Sequence, residues 1–178
     1  MTGIPRLPLR AGPRPKVTDH LPQSQVDQQP ADSRHVDAIL AEALTWPAVV
    51  QRASEISVEG ARALTLESSA AVGSRDAFMV GTEFCHVHAQ GDFSLHATLP
   101  VTLAEAAQRA GWGEPHYLVP TGQAPPTVVM LYAPRDERER DVVLGLVRAS
   151  YELACSADLT SQSTHSPGPD RATLNERR

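Results

Sequence analysis

Histidine is the residue type with the greatest chemical potential in this chain, because imidazole binds metals and exchanges protons near neutral pH. Four of the seven histidines lie in one stretch of the sequence, namely His86, His88, His96 and His116. A carboxylate, Glu83, and a thiol, Cys85, stand beside the first pair. These residue types could bind a divalent metal or a small polar ligand, or could support acid–base or thiol chemistry.

The strand faces of these side chains decide between those possibilities. Side chains alternate along a strand, so His86 and His88 are expected on one face and Glu83 and Cys85 on the other. The register of the following strand, which carries His96, then determines the cluster. If His86 lies opposite His96, the three histidines share a face and can hold one metal. If Cys85 lies opposite His96, the cluster is a thiol–imidazole–carboxylate group that includes Glu83.

The apolar pattern of the second strand favours the three-histidine register. Its apolar face consists of Phe93, Leu95, Ala97 and Leu99. His96 therefore belongs to the polar face. The other register would press His86 and His88 against the apolar side chains, at a cost in desolvation. We predict a metal site at His86, His88 and His96, within a ligand-binding set that also includes His116 and Glu83.

The same residues also permit an interpretation without any ligand. A His-x-His pair alone is a weak metal signal, and alternating histidines on a half-exposed strand can be solvated polar positions. Glu83 would then pair with Arg148 or with a backbone donor, and Cys85 would pack as a small apolar residue. The alternative hypothesis is a non-catalytic interaction domain whose histidines are structural.

Apolar periodicity predicts the elements that position these side chains in the first half of the chain. A helix is predicted from its N-cap Ser33 to the residues before Pro47. Strands are predicted over residues 55–66, 76–88 and 94–99. The last two strands are expected to form a hairpin through the turn residues that follow Ala89.

The second half of the chain predicts two further helices and two short strands. Thr102 and Glu105 form a capping box for a helix that ends at Gly111. Short strands are predicted at 116–119 and 127–133, followed by a helix over 136–154 with one apolar stripe. We predict an α+β fold in which a small, mainly antiparallel sheet packs against two or three helices.

The two ends of the chain differ in composition from its middle. Residues 1–32 are rich in Pro, Gln, Arg and Asp, and residues 157–178 contain a Pro-Gly-Pro break. Segments of this composition bury too little apolar surface to offset the entropy of ordering. We predict one domain at 33–156 between disordered tails at 1–32 and 157–178.

Charge and motif content argue against several functional classes. The net charge of −5 and the lack of a basic stripe argue against nucleic acid. No apolar run approaches the roughly 20 residues that span a membrane, and the first twenty residues do not resemble a signal peptide. The chain lacks the GxGxxG, GxxxxGK[ST], GxSxG and HExxH motifs. We expect a cytoplasmic protein without a membrane partner. A small-molecule ligand and a divalent metal are the candidate bound groups, and the sequence specifies neither the identity of a cofactor nor the oligomeric state.

Three segments of the chain resemble the luciferase-like domain family of bacteria and fungi. They are EFCHVHAQGDFSLHATLP, AGWGEPHYLVP and LGLVRASYELA. Their most specific parts are Glu83-x-x-His86-x-His88, the step Glu114-Pro115-His116, and Leu146-x-Arg148-x-x-Tyr151. The resemblance covers residues 38–154 and implies a luciferase-like domain there. It implies neither light emission nor a particular catalytic mechanism.

Overall fold

A six-stranded antiparallel sheet carries the histidine-bearing strands. The computed structural model describes residues 6–89 and 91–157. The strands are β1 Val49–Ala53, β2 Arg62–Leu66, β3 Glu83–Val87, β4 Leu95–Thr98, β5 Gly113–Pro115 and β6 Val128–Leu131. They lie in the order β1-β2-β3-β4-β6-β5, and every neighbouring pair is antiparallel.

Three α-helices pack on this sheet, which confirms the predicted α+β class. They are α1 Arg34–Ala43, α2 Val101–Ala110 and α3 Glu137–Cys155. The predicted apolar stripe of α3 is buried at Val143, Leu146 and Val147. These side chains share one hydrophobic core with Cys85 and Val87 of β3. Burial of this stripe stabilises the arrangement, because each fully buried aliphatic side chain contributes about 1.5–3 kcal/mol.

Two rows of paired residues across the sheet show which face the helices cover. The first row, Leu64, Cys85, Ala97 and Val129, belongs to the core shared with the helices. The adjacent row consists of Ala63, His86, His96 and Met130. Since successive side chains on a strand point to opposite faces, the histidines lie on the face away from the helices.

The predicted strand at 116–119 is wrong, and the strand lies just before it. β5 occupies Gly113–Pro115, and residues 117–122 form turns. Gly113 allows this close pairing, because a Cβ atom there would lie 2.2 Å from the carbonyl oxygen of Met130. The edge strand β1 was not predicted, because its residues alternate poorly and are half-buried or exposed.

The ends of the helices follow the sequence signals in part. α1 begins after Ser33, as predicted, and α2 ends at Gly111, which adopts φ 82°. The capping box predicted at Thr102 is wrong, because α2 begins at Val101 with Pro100 as its N-cap. The Pro100 carbonyl accepts the first hydrogen bonds of this helix.

Residues 6–32 lie against the domain in the structure, although their composition predicts a disordered tail. The indole Nε1 of Trp112 donates to the carbonyl of Pro8 at 2.6 Å. Gln23 and Gln25 are each only 2% exposed. Polar side chains therefore hold this segment in place. The apolar content of the segment alone would predict none of these contacts.

The tail predicted at 157–178 lies outside the described residues except at Ala157. Gln90, in the predicted hairpin turn, lies outside them as well. Over 6–89 and 91–157, no helix combines the length and the apolar character that crossing a membrane requires.

Candidate metal and ligand site

The pairing of β3 with β4 places three histidines on one face of the sheet. His86 lies directly opposite His96, and Cys85 lies opposite Ala97. The predicted three-histidine register is therefore confirmed, and the thiol–imidazole–carboxylate alternative is excluded. With one ring nitrogen taken from each of His86, His88 and His96, the three nitrogens lie within 4.8 Å of one another.

These three imidazoles are buried, where the sequence indicated a half-exposed polar face. His86 is 4% exposed, His88 is 2% exposed and His96 is 3% exposed. Residues 21–25 contribute to this burial, because the Gln23 carbonyl contacts His96 and the Gln25 amide donates to Asp92 beside His88. A buried imidazole needs a partner for each ring nitrogen, since an unsatisfied polar group costs about 1–3 kcal/mol.

Glu83 lies on the histidine face, so its predicted placement on the opposite face is wrong. Leu64 of β2 pairs with Cys85, but the next residue, Thr65, pairs with Glu83. Phe84 is therefore the extra residue of a β-bulge. The bulge breaks the alternation of side chains and brings Glu83 round to the side of the histidines.

Glu83 uses its carboxylate to hold the first histidine of the cluster. Its Oε1 lies 2.7 Å from Nδ1 of His86, and it accepts a second hydrogen bond from Ser54 Oγ at 3.0 Å. The predicted alternative partner, Arg148, instead lies over the ring of Trp46, with 4.8 Å between Cζ and the ring centroid. Glu83 is thus a positioning residue for His86.

His88 has its own carboxylate partner in the hairpin turn. Nδ1 of His88 lies 2.5 Å from Oδ2 of Asp92. Burial alone would raise the pKa of Asp92, but hydrogen bonds from His88 and Ser94 hold that pKa below its ordinary value. Sequence reasoning missed Asp92, whose signal is an acidic residue in a tight turn four positions after a histidine.

His96 is held by the N-terminal segment. Its Nε2 lies 3.1 Å from the backbone carbonyl oxygen of Gln23. A carbonyl oxygen only accepts hydrogen bonds, so Nε2 of His96 is the donor. No local sequence signal could identify Gln23, because the two residues are 73 positions apart.

The same logic assigns a tautomer to each of the three histidines. Each donates one ring N–H to a carboxylate or carbonyl oxygen, which leaves the opposite nitrogen with its lone pair. The free nitrogens are Nε2 of His86 and His88 and Nδ1 of His96. Metal-binding histidines almost always show this pattern of outer hydrogen bonds, which fixes the ring and raises the basicity of the ligand nitrogen.

His116 joins the cluster in a different role. Its ring centroid lies 5.1 Å from that of His96, with 66° between the ring planes. It is not one of the three residues whose nitrogens lie within 4.8 Å of one another. Its Nδ1 accepts a hydrogen bond from the backbone N–H of Leu118 at 3.2 Å. The proton of the neutral ring must therefore reside on Nε2.

Burial favours the neutral form of His86, His96 and His116. Burial lowers the pKa of His86, although Glu83 acts in the opposite direction. Burial and the neighbouring histidines hold the pKa of His96 well below its ordinary value, and they also lower the pKa of His116. The neutral imidazole is the form that coordinates a metal.

The four histidines form one wall of a cavity of about 760 Å³. Most of the remaining wall is apolar and includes Ile56, Val58, Phe78, Met79, Leu118 and Val128. Leu21 and Ile56 also line it and remain 56% and 53% exposed, respectively. The arrangement combines a set of nitrogen ligands with space for a mainly apolar small molecule.

Sequence comparisons relate this chain to one family. The family model of the luciferase domain matches residues 81–150. Luciferases of Armillaria ostoyae and Armillaria gallica are 31% identical over 163 residues, covering 83% of this chain and 60% of each relative. A luciferase of Neonothopanus nambi is 32% identical over 159 residues, covering 81% of this chain and 59% of that protein. The chain thus spans about 60% of the length of these curated relatives. No solved structure matches it.

Proposed function

This chain belongs to the luciferase-like domain family, and on that premise we propose that it binds a divalent metal ion through His86, His88 and His96. The metal would face the adjoining cavity, where a small molecule binds. Three protein ligands leave coordination positions open for that molecule, as in catalytic metal sites. Imidazole ligands suit zinc, copper, iron and nickel.

The observation that carries this proposal is the hydrogen bonding behind the three rings. Structural histidines need partners, but a purely structural role does not require each of three neighbouring imidazoles to keep one ring nitrogen free of hydrogen bonds. In this site Glu83, Asp92 and the Gln23 carbonyl each take the outer N–H of one ring. Three nitrogen lone pairs are therefore left for one cation. Coordination of that cation would remove the repulsion between these lone pairs.

The distances define how far the rings must move on binding. Metal bonds of about 2.0–2.1 Å place the nitrogens of a tetrahedral site some 3–4 Å apart. One ring nitrogen of each histidine lies within 4.8 Å of the other two, so binding requires these nitrogens to approach by up to about an ångström. Rotation of the imidazoles about their side-chain bonds supplies a movement of this size.

Metal titration of the untagged protein tests the proposal. We expect the chelator-treated chain to bind zinc or cobalt(II) with a stoichiometry near one, and the His86→Ala, His88→Ala double variant to lose that binding. His20→Ala is the matched control, because the side chain of His20 is 69% exposed and lies outside the cluster. Equal metal binding by the double variant and the wild type would contradict the proposal.

The alternative of a non-catalytic interaction domain gives a different result in the same experiment. There the wild type binds no stoichiometric metal, and the double variant loses only stability, because each replaced ring leaves a buried acceptor unpaired. The comparison of metal content with the free energy of unfolding therefore separates a metal site from a purely structural cluster.

A luciferase activity is a second candidate function, favoured by the 31% identity to proteins of that name. The test supplies the luciferin of those relatives to the wild type and measures light. If the histidine site carries the activity, the double variant is dark while His20→Ala emits as the wild type does. If the metal-loaded wild type remains dark, this candidate function is contradicted, but the proposal of a metal site is not.

A further inference from the structure

We propose that His116 orients the molecule bound at this site by donating a hydrogen bond from Nε2–H to one of its oxygen atoms. The inference rests on the proposed metal site, because the bound molecule is taken to occupy an open position on the metal. It adds a role that the three metal ligands do not have. His116 selects for a ligand with an anionic or carbonyl oxygen.

The tautomer of His116 is fixed by its contact with the backbone. The Leu118 amide donates to Nδ1 at 3.2 Å, so Nδ1 must hold a lone pair there. The ring proton then lies on Nε2, as it does in His96, but the Nε2–H of His96 is already donated to Gln23. Among the residues that the structure describes, no hydrogen bond uses Nε2 of His116. This nitrogen is also not one of the fully buried unpaired atoms, so a ligand can reach it.

His116 lies next to the proposed metal site. It lines the same cavity as the three metal-site histidines, and its ring lies against that of His96. A protonated Nε2 cannot coordinate a metal, so His116 stays outside the coordination sphere. It can instead reach a molecule that occupies the open side of the metal.

The cavity wall contains a second hydrogen-bond donor besides His116. Arg75, whose guanidinium donates to the carbonyl of Phe78, also lines the cavity. Nε2–H of His116 and this guanidinium both favour an electron-rich atom. Because the remaining wall is largely apolar, a ligand that fits has an oxygen near the histidines and an apolar body.

Cobalt(II)-loaded protein titrated with acetohydroxamate tests the inference, since the visible absorption of cobalt reports both metal and ligand binding. We expect His116→Phe and His116→Gln to bind cobalt within about twofold of the wild type. Acetohydroxamate affinity should fall about tenfold in His116→Phe, the size expected for one lost hydrogen bond to a charged acceptor. His116→Gln keeps a side-chain N–H and should recover most of that loss.

The outcomes separate this inference from the proposed function. A wild type that binds no cobalt overturns both. If His116→Phe binds cobalt normally and its affinity for acetohydroxamate is unchanged, only the role of His116 is overturned. Loss of cobalt binding in that variant also overturns this role, because it would make His116 a metal ligand. Nitrogen NMR of the wild-type ring gives an answer that does not depend on a folded variant: a proton on Nε2 supports the inference, and a proton on Nδ1 overturns it.

Discussion

Gln23 and His96 are joined by a hydrogen bond of 3.1 Å that links the N-terminal segment to the centre of the histidine cluster. Gln23 also donates from Nε2 to Glu114 at 3.0 Å and accepts from the Tyr117 amide at 3.0 Å. Three separate parts of the chain therefore meet at one buried glutamine. The N-terminal segment therefore lines the cavity and also buries the histidines.

These contacts predict that the N-terminal segment resists proteolysis. Composition predicts trimming to a core at 33–156, whereas the buried contacts of Gln23 and Gln25 favour a domain that begins before Arg10. We expect limited trypsin digestion, followed by mass spectrometry, to remove residues up to Arg6 first. A stable fragment that begins near residue 33 would instead support the boundary drawn from composition.

Glu83→Gln should weaken metal binding without unfolding the chain. The amide keeps the size of the carboxylate but loses its charge, so it orients His86 less strongly and lowers the basicity of the ligand nitrogen. Loss of such an outer partner typically costs 10–100-fold in metal affinity, and we expect roughly that range in a cobalt titration. Glu152→Gln is the control, because Glu152 pairs with Arg148 on an exposed part of α3. Equal effects of the two substitutions would contradict the role assigned to Glu83.

Two glycines make a matched pair for testing the close approach of β5 to β6. A Cβ at Gly113 would lie 2.2 Å from the Met130 carbonyl oxygen, whereas a Cβ at Gly145 in α3 meets nothing within 4 Å. Gly113→Ala should therefore destabilise the protein by roughly 2–3 kcal/mol through overpacking. Gly145→Ala should stabilise the helix by about 0.5–1 kcal/mol. Urea denaturation of both variants measures the difference, and equal stabilities would show that β5 is not packed as described.

The sequence could predict the register of the histidine strands because apolar and polar residues distinguish the two faces of that hairpin. The apolar residues around His96 identify its face, and a slip by one residue would reverse every side chain. The bulge at Phe84 could not be predicted, since no glycine or proline marks it. As a result, strict alternation placed Glu83 on the wrong face while placing His86 and His88 correctly.

The cover over the histidines escaped sequence reasoning for a different physical reason. Composition rules count the apolar area that a segment can bury, and residues 6–32 offer little of it. The segment is held instead by buried amides: Gln25 accepts from the Ala133 N–H at 2.9 Å, and its own N–H donates to Asp92 at 3.1 Å. Such long-range hydrogen bonds leave no periodic signal in the sequence.

The two cysteines should differ sharply in reactivity, which tests the exclusion of thiol chemistry at this site. Burial raises the pKa of the Cys85 thiol, and the Glu83 carboxylate acts in the same direction. The thiolate is the reactive form, so Cys85 should react with a disulfide reagent only as the chain unfolds. Cys155 is half-buried at the end of α3 and should supply the one thiol that reacts in the native protein. In Cys155→Ser the native reaction should disappear and return on addition of denaturant. If instead a fast native reaction persists in that variant, Cys85 is reachable and the thiol–imidazole interpretation must be reopened.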